Sequence, residues 1–292
     1  MRIPNPTCIF PPKTSGVIVP RVALLTIFSL FLCLTVSHAA HAQNILRDAV
    51  AIWLFDEGGG EKVSDFTRND HHGDFNGSPE WVPGKFGTAL RFLGADETTW
   101  VDVNRPVKVN SVDLSIGCWM LPNNPQERFQ NALSGRDGWL SEAGIALEQY
   151  ENLSNNYRIV IGGVFGGVNL GNPRHAVKLI NDEWTHLAFV REGRNGIWYK
   201  NGVPDRPKRG NYHVDTGSIR PARSSDTNFR IGAASWRDWF RYRGVLDEVF
   251  IYERALSREE VQRVMNVGFQ GALNADAKGR VATVWGGIKS PR

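Results

Sequence analysis

Along most of this chain, short apolar runs alternate with clusters of Gly, Asn, Asp and Pro. The runs include "AVAIWLFD" from Ala49, "GTALRFLG" from Gly87, "TWVDVN" from Thr99, "DLSIGCWML" from Asp113 and "GIALEQY" from Gly144. Five more follow: "YRIVIGGVF" from Tyr157, "WTHLAFVRE" from Trp184, "GIWYKNG" from Gly196, "FRIGAAS" from Phe229 and "VLDEVFIYE" from Val245. Each is bounded by turn residues and rich in β-branched or aromatic side chains, so each predicts a strand. Asn201-Gly202 after "IWYK" predicts a tight hairpin, because both residues tolerate positive φ. Strands at this spacing predict an all-β fold, with two antiparallel sheets packed as a β-sandwich or jelly roll.

Only one segment reads as helix. Ser257 precedes "REEVQRVM" and Glu260 stands three residues later, a capping box. Val261, Val264 and Met265 give a narrow apolar stripe, which predicts a short C-terminal helix laid on the sandwich. Beyond Gly268 the pattern changes. Residues 269–292 contain one strand-like run, Val281 to Trp285, and predict an added edge strand or a tail.

The last strand, "RGVLDEVFIYERALSREEV" from Arg243, poses a chemical problem. Side chains alternate along a strand, so Asp247, Val249 and Ile251 share the core-facing side. A carboxylate taken from water without a partner costs several kcal/mol or becomes neutral. A cation, a set of backbone N–H groups or an arginine would each compensate.

The first forty residues change the reading of composition. Arg2, Lys13 and Arg21 precede a 15-residue apolar run, Val22 to Val36, and Ala40-His41-Ala42 has the small-x-small form of a cleavage site. This predicts a secretory signal over residues 1–42 and a secreted, periplasmic or cell-envelope protein. The run is shorter than the roughly 20 residues of a membrane span, so no stable span is expected after cleavage. Without this segment the 34 basic residues fall to 31, against 30 acidic ones. A near-neutral chain argues against electrostatic capture of nucleic acid. Cys118 is then the one cysteine left, and its apolar strand predicts a small core residue.

Three segments, taken in order, carry a resemblance: "AIWLFDEGGGEKVSDFTRNDHHGDFNG" from Ala51, "WVPGKFGTALRFLGADETTWVDV" from Trp81, and the Arg243 stretch. "EWTHLAFVREGRNGIWYKNGV" and "FRIGAAS" lie between them. Together they resemble a laminin G-like, concanavalin A-like jelly-roll domain of the bacterial secreted type, over roughly Ala49 to Val267. The domain is accordingly expected over residues 43–268. The resemblance implies a two-sheet sandwich that is usually non-catalytic, binds glycans or proteins, and often holds a structural calcium ion. In "VSDFTRNDHHG", Asp65, Asn69 and Asp70 are oxygen donors at loop spacing, and calcium takes six to eight oxygens. Carried over by position, the resemblance implies Asp65, Asn69 and Asp247 as calcium ligands, with carbonyls near Gly94 to Asp96 added. Against this, Asp65 can cap a turn and Asp247 can accept from loop amides. Adjacent His71 and His72 point apart in an extended chain, so a zinc site is not expected.

Catalysis is not expected either. Hydrolase relatives of this fold carry Glu-x-Asp-x-x-Glu on one strand, and no such run occurs. Asp247 and Glu253 share parity but lie about 20 Å apart at strand rise, too far for a retaining pair. There is no Gly-x-Ser-x-Gly elbow, and His186 in "WTHLAFV" reads as a packed core histidine.

For ligand contact the richest loop is "SWRDWFRYRG", Ser235 to Gly244, from which Trp236, Arg237 and Trp239 are the expected binding residues. Aromatic faces suit the C–H patches of sugars, and polar groups fix their hydroxyls. The opposing reading is a lid that buries its own aromatics. A basic patch at Arg206, Lys208, Arg209, Arg220 and Arg223 suits sulfated or carboxylated glycans, or is a solvated loop. The expectation is therefore a binding or adhesion module for glycan or glycoprotein. A protein-interaction domain of an envelope assembly is the alternative, and a polysaccharide hydrolase a more distant one.

Overall fold

The structure, a computed structural model, describes residues 44–94, 98–123, 129–136, 144–149, 156–161, 168–169, 177–205, 213–215, 228–236, 238 and 240–288. The expected signal at 1–42 and the basic patch of Arg206, Lys208, Arg209, Arg220 and Arg223 lie outside these residues.

Among the described residues the apolar runs form two antiparallel sheets of nine strands each. In the first sheet the order is β15 (Val203–Pro204), β14 (Asn195–Lys200), β13 (Thr185–Glu192), β7 (Leu114–Pro122), β18 (Arg243–Tyr252), β5 (Thr88–Leu93) and β4 (Glu80–Pro83). β1 (Ala49–Trp53) joins it beside β18, and β16 (His213–Asp215) beside β14. In the second sheet the order is β11 (Val168–Asn169), β10 (Asn156–Ile161), β9 (Ile145–Gln149), β8 (Asn131–Ser134), β17 (Arg230–Ile231), β6 (Thr99–Val103), β3 (Gly73–Gly77) and β2 (Lys62–Val63). β12 (Val177–Lys178) pairs with β10.

Alternation along the strands puts one apolar row of each sheet inside. Trp53, Leu90, Ile116, Leu147, Phe189 and Phe229 belong to one buried cluster between the sheets, and Trp53 stacks on Phe229 at 5.9 Å. Cys118 lies in this cluster, fully buried and free. The Asn201-Gly202 turn joins β14 to β15 with both residues at positive φ, as a two-residue hairpin requires.

Helix α1 (Arg258–Ile288) starts at the expected capping box. Ser257 N–H donates to Glu260 Oε2 at 2.8 Å, and Glu260 N–H donates to Ser257 Oγ at 3.2 Å. Arg254 grips the same Glu260 carboxylate through both terminal nitrogens, which ties the helix start to the end of β18. Val261, Val264, Phe269 and Ala272 cover the outer face of the first sheet, against Ile52, Phe250 and Tyr252. Burial of each large side chain there stabilises by about 1.5–3 kcal/mol.

The helix is not short. It runs 31 residues with a kink at Gly268, whose φ is 66° and ψ 171°. The run from Val281 to Trp285, expected as an edge strand or tail, is helical. It carries β-branched residues, but a helix already nucleated and docked through Phe269 adds one hydrogen bond for each residue it extends. At the kink Gly268 is needed for two reasons: a side chain resists that φ, and a Cβ would stand 3.2 Å from the Phe86 ring.

Alternation fails at one place. β18 changes neighbour along its length, pairing with β5 from Arg243 to Leu246 and with β1 from Val249 to Tyr252. Between these stretches Glu248 takes φ 51° and the pairing with β7 slips. This β-bulge places Asp247 opposite Trp119, while Val249 and Ile251 remain in the inter-sheet core. The expectation that Asp247 shares the inner face with Val249 and Ile251 is therefore corrected. Asp247 is fully buried, but on the outer side of the first sheet.

Candidate binding face and the buried acids

Asp65 and Asn69 sit in one loop. Asp65 Oδ1 accepts from Ile52 N–H, Thr67 N–H and Thr67 Oγ1–H, at 3.3, 2.9 and 2.7 Å. Its Oδ2 accepts from Asn69 N–H and His71 N–H, at 3.1 and 3.2 Å. A carboxylate has about four lone-pair sites, so this one is saturated. Asn69 turns its amide N–H groups to the carbonyls of Ala49 and Val50, at 2.9 and 3.0 Å. Asp65 thus staples its loop to β1, as a cap does.

Asp247 finds different partners. The turn between β4 and β5 presents Lys85 N–H at 2.8 Å and Phe86 N–H at 3.0 Å to its Oδ2. These donors take up Oδ2, and among the described residues no three acidic, histidine or cysteine side chains converge as a metal group. The three residues do not fit one calcium shell. Of the added carbonyls, those at 95–96 lie outside the described residues, and Gly94 N–H bonds to Tyr242 O.

The neighbouring Glu248 is buried too, and its Oε2 accepts from Phe269 N–H at the helix kink, at 2.7 Å. Burial pushes the Asp247 carboxyl up to about 7, against the pull of the Phe86 and Lys85 amides. Burial raises Glu248 to about 8, with Phe269 N–H again opposing and Asp247 adding repulsion. Asp247 Oδ1 is buried without a well-formed hydrogen bond. On the same face Trp119 edges against His186 at 5.3 Å. Burial drops His186 to about 3, so it is a neutral core imidazole.

The second sheet offers the opposite face. Its strands place polar side chains outward in register: Asp102 opposite Arg230, Arg230 opposite Ser134, Asn131 opposite Glu148, and Glu148 opposite Arg158. Arg230 Nε donates to Asp102 Oδ1 at 2.8 Å and its Nη1 to Asp238 Oδ1 at 2.8 Å. Trp100 Nε1–H donates to Asp102 Oδ2 at 2.8 Å. The Arg230 guanidinium lies 4.5 Å from the Trp100 ring centre and that of Arg241 5.7 Å, both within cation–π reach. Further along, Glu148 is clasped by Arg158 Nε at 2.8 Å and by Arg136 Nη1 at 3.4 Å, all three buried.

The expected ligand loop meets this face. Trp236 is half-buried and edges against Phe240 at 5.4 Å, and Phe240 against Phe129 at 5.5 Å. Arg237 and Trp239 lie outside the described residues. Tyr242 is a fully buried core residue 6.3 Å from Phe92. Sequence reasoning missed Trp100, Asp102, Arg230, Glu148 and Arg158. The one available signal was a charged residue at alternate positions in otherwise apolar strands, as in "TWVDV" and "NYRIVI".

Two sandwiched antiparallel sheets with one polar outer face define a lectin-like architecture. Residues 95–262, more than half of the chain, match the concanavalin A-like lectin/glucanases superfamily, and the chain belongs to it. No curated protein matches it. Among solved structures it is similar to domain 4 of AbnA, a GH43 extracellular arabinanase from Geobacillus stearothermophilus in complex with arabinotriose. That similarity has 21% identity over 75% of this chain and 98% of that one, at a TM-score of 0.52. It is also similar to the binding domain of Paraclostridial Mosquitocidal Protein 1, with 16% identity over 76% of this chain and 52% of the other, at 0.52. The botulinum neurotoxin serotype G binding domain gives 12% identity over 74% and 50%, at 0.53. The chain thus spans nearly all of the arabinanase domain and about half of each toxin binding domain. At these identities the likeness is one of fold. No helix among the described residues is long and apolar enough to cross a membrane.

Proposed function

We propose that this protein is an exported, non-catalytic module that binds a glycan or glycoprotein on the outer face of its second sheet. The observation that carries this reading is the cluster of Trp100, Asp102, Arg230 and Arg241, with half-buried Trp236 at its margin. A sugar needs an aromatic surface and fixed donors and acceptors side by side; Trp236 supplies a partly exposed ring, and Asp102 and Arg230, ordered by the buried Trp100, supply the polar groups. The arabinanase domain of the same fold is in complex with arabinotriose, which supports a sugar as the ligand class.

Two features favour binding over catalysis. Among the described residues of this face, Asp102 and Asp238 are tied to Arg230, Glu148 to Arg158 and Asp74 to Lys62. The two carboxyls held near neutrality, Asp247 and Glu248, lie under α1 on the other sheet, buried from any substrate. Export is supported by the leader-like pattern of residues 1–42.

The test is retention on an array of plant, microbial and host glycans. Wild type is expected to be retained, and Asp102→Ser to lose retention about tenfold, which corresponds to one hydrogen-bonding side chain. Failure of wild type to bind any glycan, with a defined protein partner recovered by crosslinking in envelope extracts, would replace this reading with the protein-interaction one.

A further inference from the structure

The arginines of the binding face are not equivalent. Arg230 is neutralised by Asp102 and Asp238, and Arg158 and Arg136 share Glu148. Arg241 has no such partner. Among the described residues no carboxylate and no hydrogen-bond acceptor holds its guanidinium, which lies 5.7 Å from the centre of the Trp100 ring. Its Nε is buried without an acceptor, while the side chain as a whole is half-exposed. Beside it the backbone bridges to Asn131, whose Oδ1 is also buried without a donor.

A guanidinium within cation–π reach of an indole, 5.7 Å from its centre, is partly ordered before an anion docks, which lowers the entropy lost on binding. Its fork matches a carboxylate or a sulfate through two parallel N–H bonds. A buried Nε–H without an acceptor is uncommon, and it leaves Arg241 free to take one.

Resting on the glycan reading above, we propose that the ligand is an acidic glycan whose carboxylate or sulfate docks on Arg241 over Trp100, with its ring against the half-buried Trp236.

The experiment measures binding of the full chain to four soluble probes: oligogalacturonides for carboxylate, heparin oligosaccharides for sulfate, and galactan and arabinan oligomers as neutral counterparts. Wild type is expected to bind one acidic class at least about tenfold tighter than the neutral ones, with affinity falling as salt rises. Which acidic class binds identifies the anion. Arg241→Gln is expected to lower acidic binding at least about tenfold more than it lowers neutral binding, with the melting temperature unchanged. Arg241→Lys is expected to recover part of the affinity, as a point charge without the fork. Equal wild-type affinity for acidic and neutral probes would overturn the proposal, as would an equal loss of both in Arg241→Gln, yet either would leave the glycan reading standing. No binding to any of the four, together with no retention on the array, would overturn both.

Discussion

The outer faces of the two sheets solve opposite problems. The first sheet turns Phe250, Tyr252 and Ile52 outward, and α1 covers them with Val261, Val264 and Phe269. The second sheet turns outward Trp100, Asp102, Arg230, Glu148 and Arg158, and settles them among themselves by ion pairs and cation–π contacts. Both faces hold buried acids. Under α1 the acids have only backbone N–H groups and are pushed toward neutrality. On the second sheet they have arginines. A face closed by a helix has no room for a ligand and can tolerate neutral carboxyls. A face that keeps its charges paired, with Asp102, Arg230 and Asp238 partly exposed, stays polar enough to meet a hydroxylated or charged partner.

Four changes sharpen or break this comparison. The largest effect is expected from Phe250→Ala. Phe250 is fully buried and packs at 5.4 Å against Phe269, so its loss should cost about 3–5 kcal/mol in urea unfolding. Ligand affinity of the folded fraction should not change; a loss of affinity would mean that the helix-covered face takes part in binding. Next is Glu148→Ala on the other face. It leaves Arg158 and Arg136 buried without their shared carboxylate and should cost about 3 kcal/mol by the same measurement.

Glu248→Gln tests the buried acids. Glu248 titrates near 8 in the folded chain against an ordinary 4.5, and Asp247 near 7 against 3.8, with Asp56 repelling both. The native state therefore holds protons that the unfolded chain has released. Stability should fall as pH rises from about 4 to about 8 and level off above, because the unfolded state binds fewer protons across that window. Glu248→Gln keeps an acceptor for Phe269 N–H, so its melting temperature should exceed that of wild type at pH 9 and match it at pH 5. An unchanged pH profile would show that the carboxyl under α1 is solvated. The smallest effect is expected from chelation. With Asp65 saturated by N–H and O–H donors, excess chelator should leave the melting temperature where it was, and a clear drop would place a cation where these donors now stand.

Much of the fold was legible. Ten apolar runs became strands because alternation and turn residues are local signals. The capping box marked the helix start for the same reason. Short strands such as β2, β11 and β12, two residues each, carry no periodicity of their own and exist only through their neighbours. The candidate site was less legible. The Ser235–Gly244 loop was found by composition, but Trp100 and Asp102 read as an ordinary half-buried strand until β17 set Arg230 beside them.

By itself the sequence determined the strands, the hairpin at Asn201, the helix start at Ser257 and the two-sheet class, because each is written in residues close together in the chain. Only the tertiary structure decided which way Asp247 points and which charges meet. The bulge at Glu248 arises where β18 exchanges β5 for β1, and Arg230 reaches Asp102 from 128 residues away. Both depend on register between distant strands, which alternation along one strand does not encode.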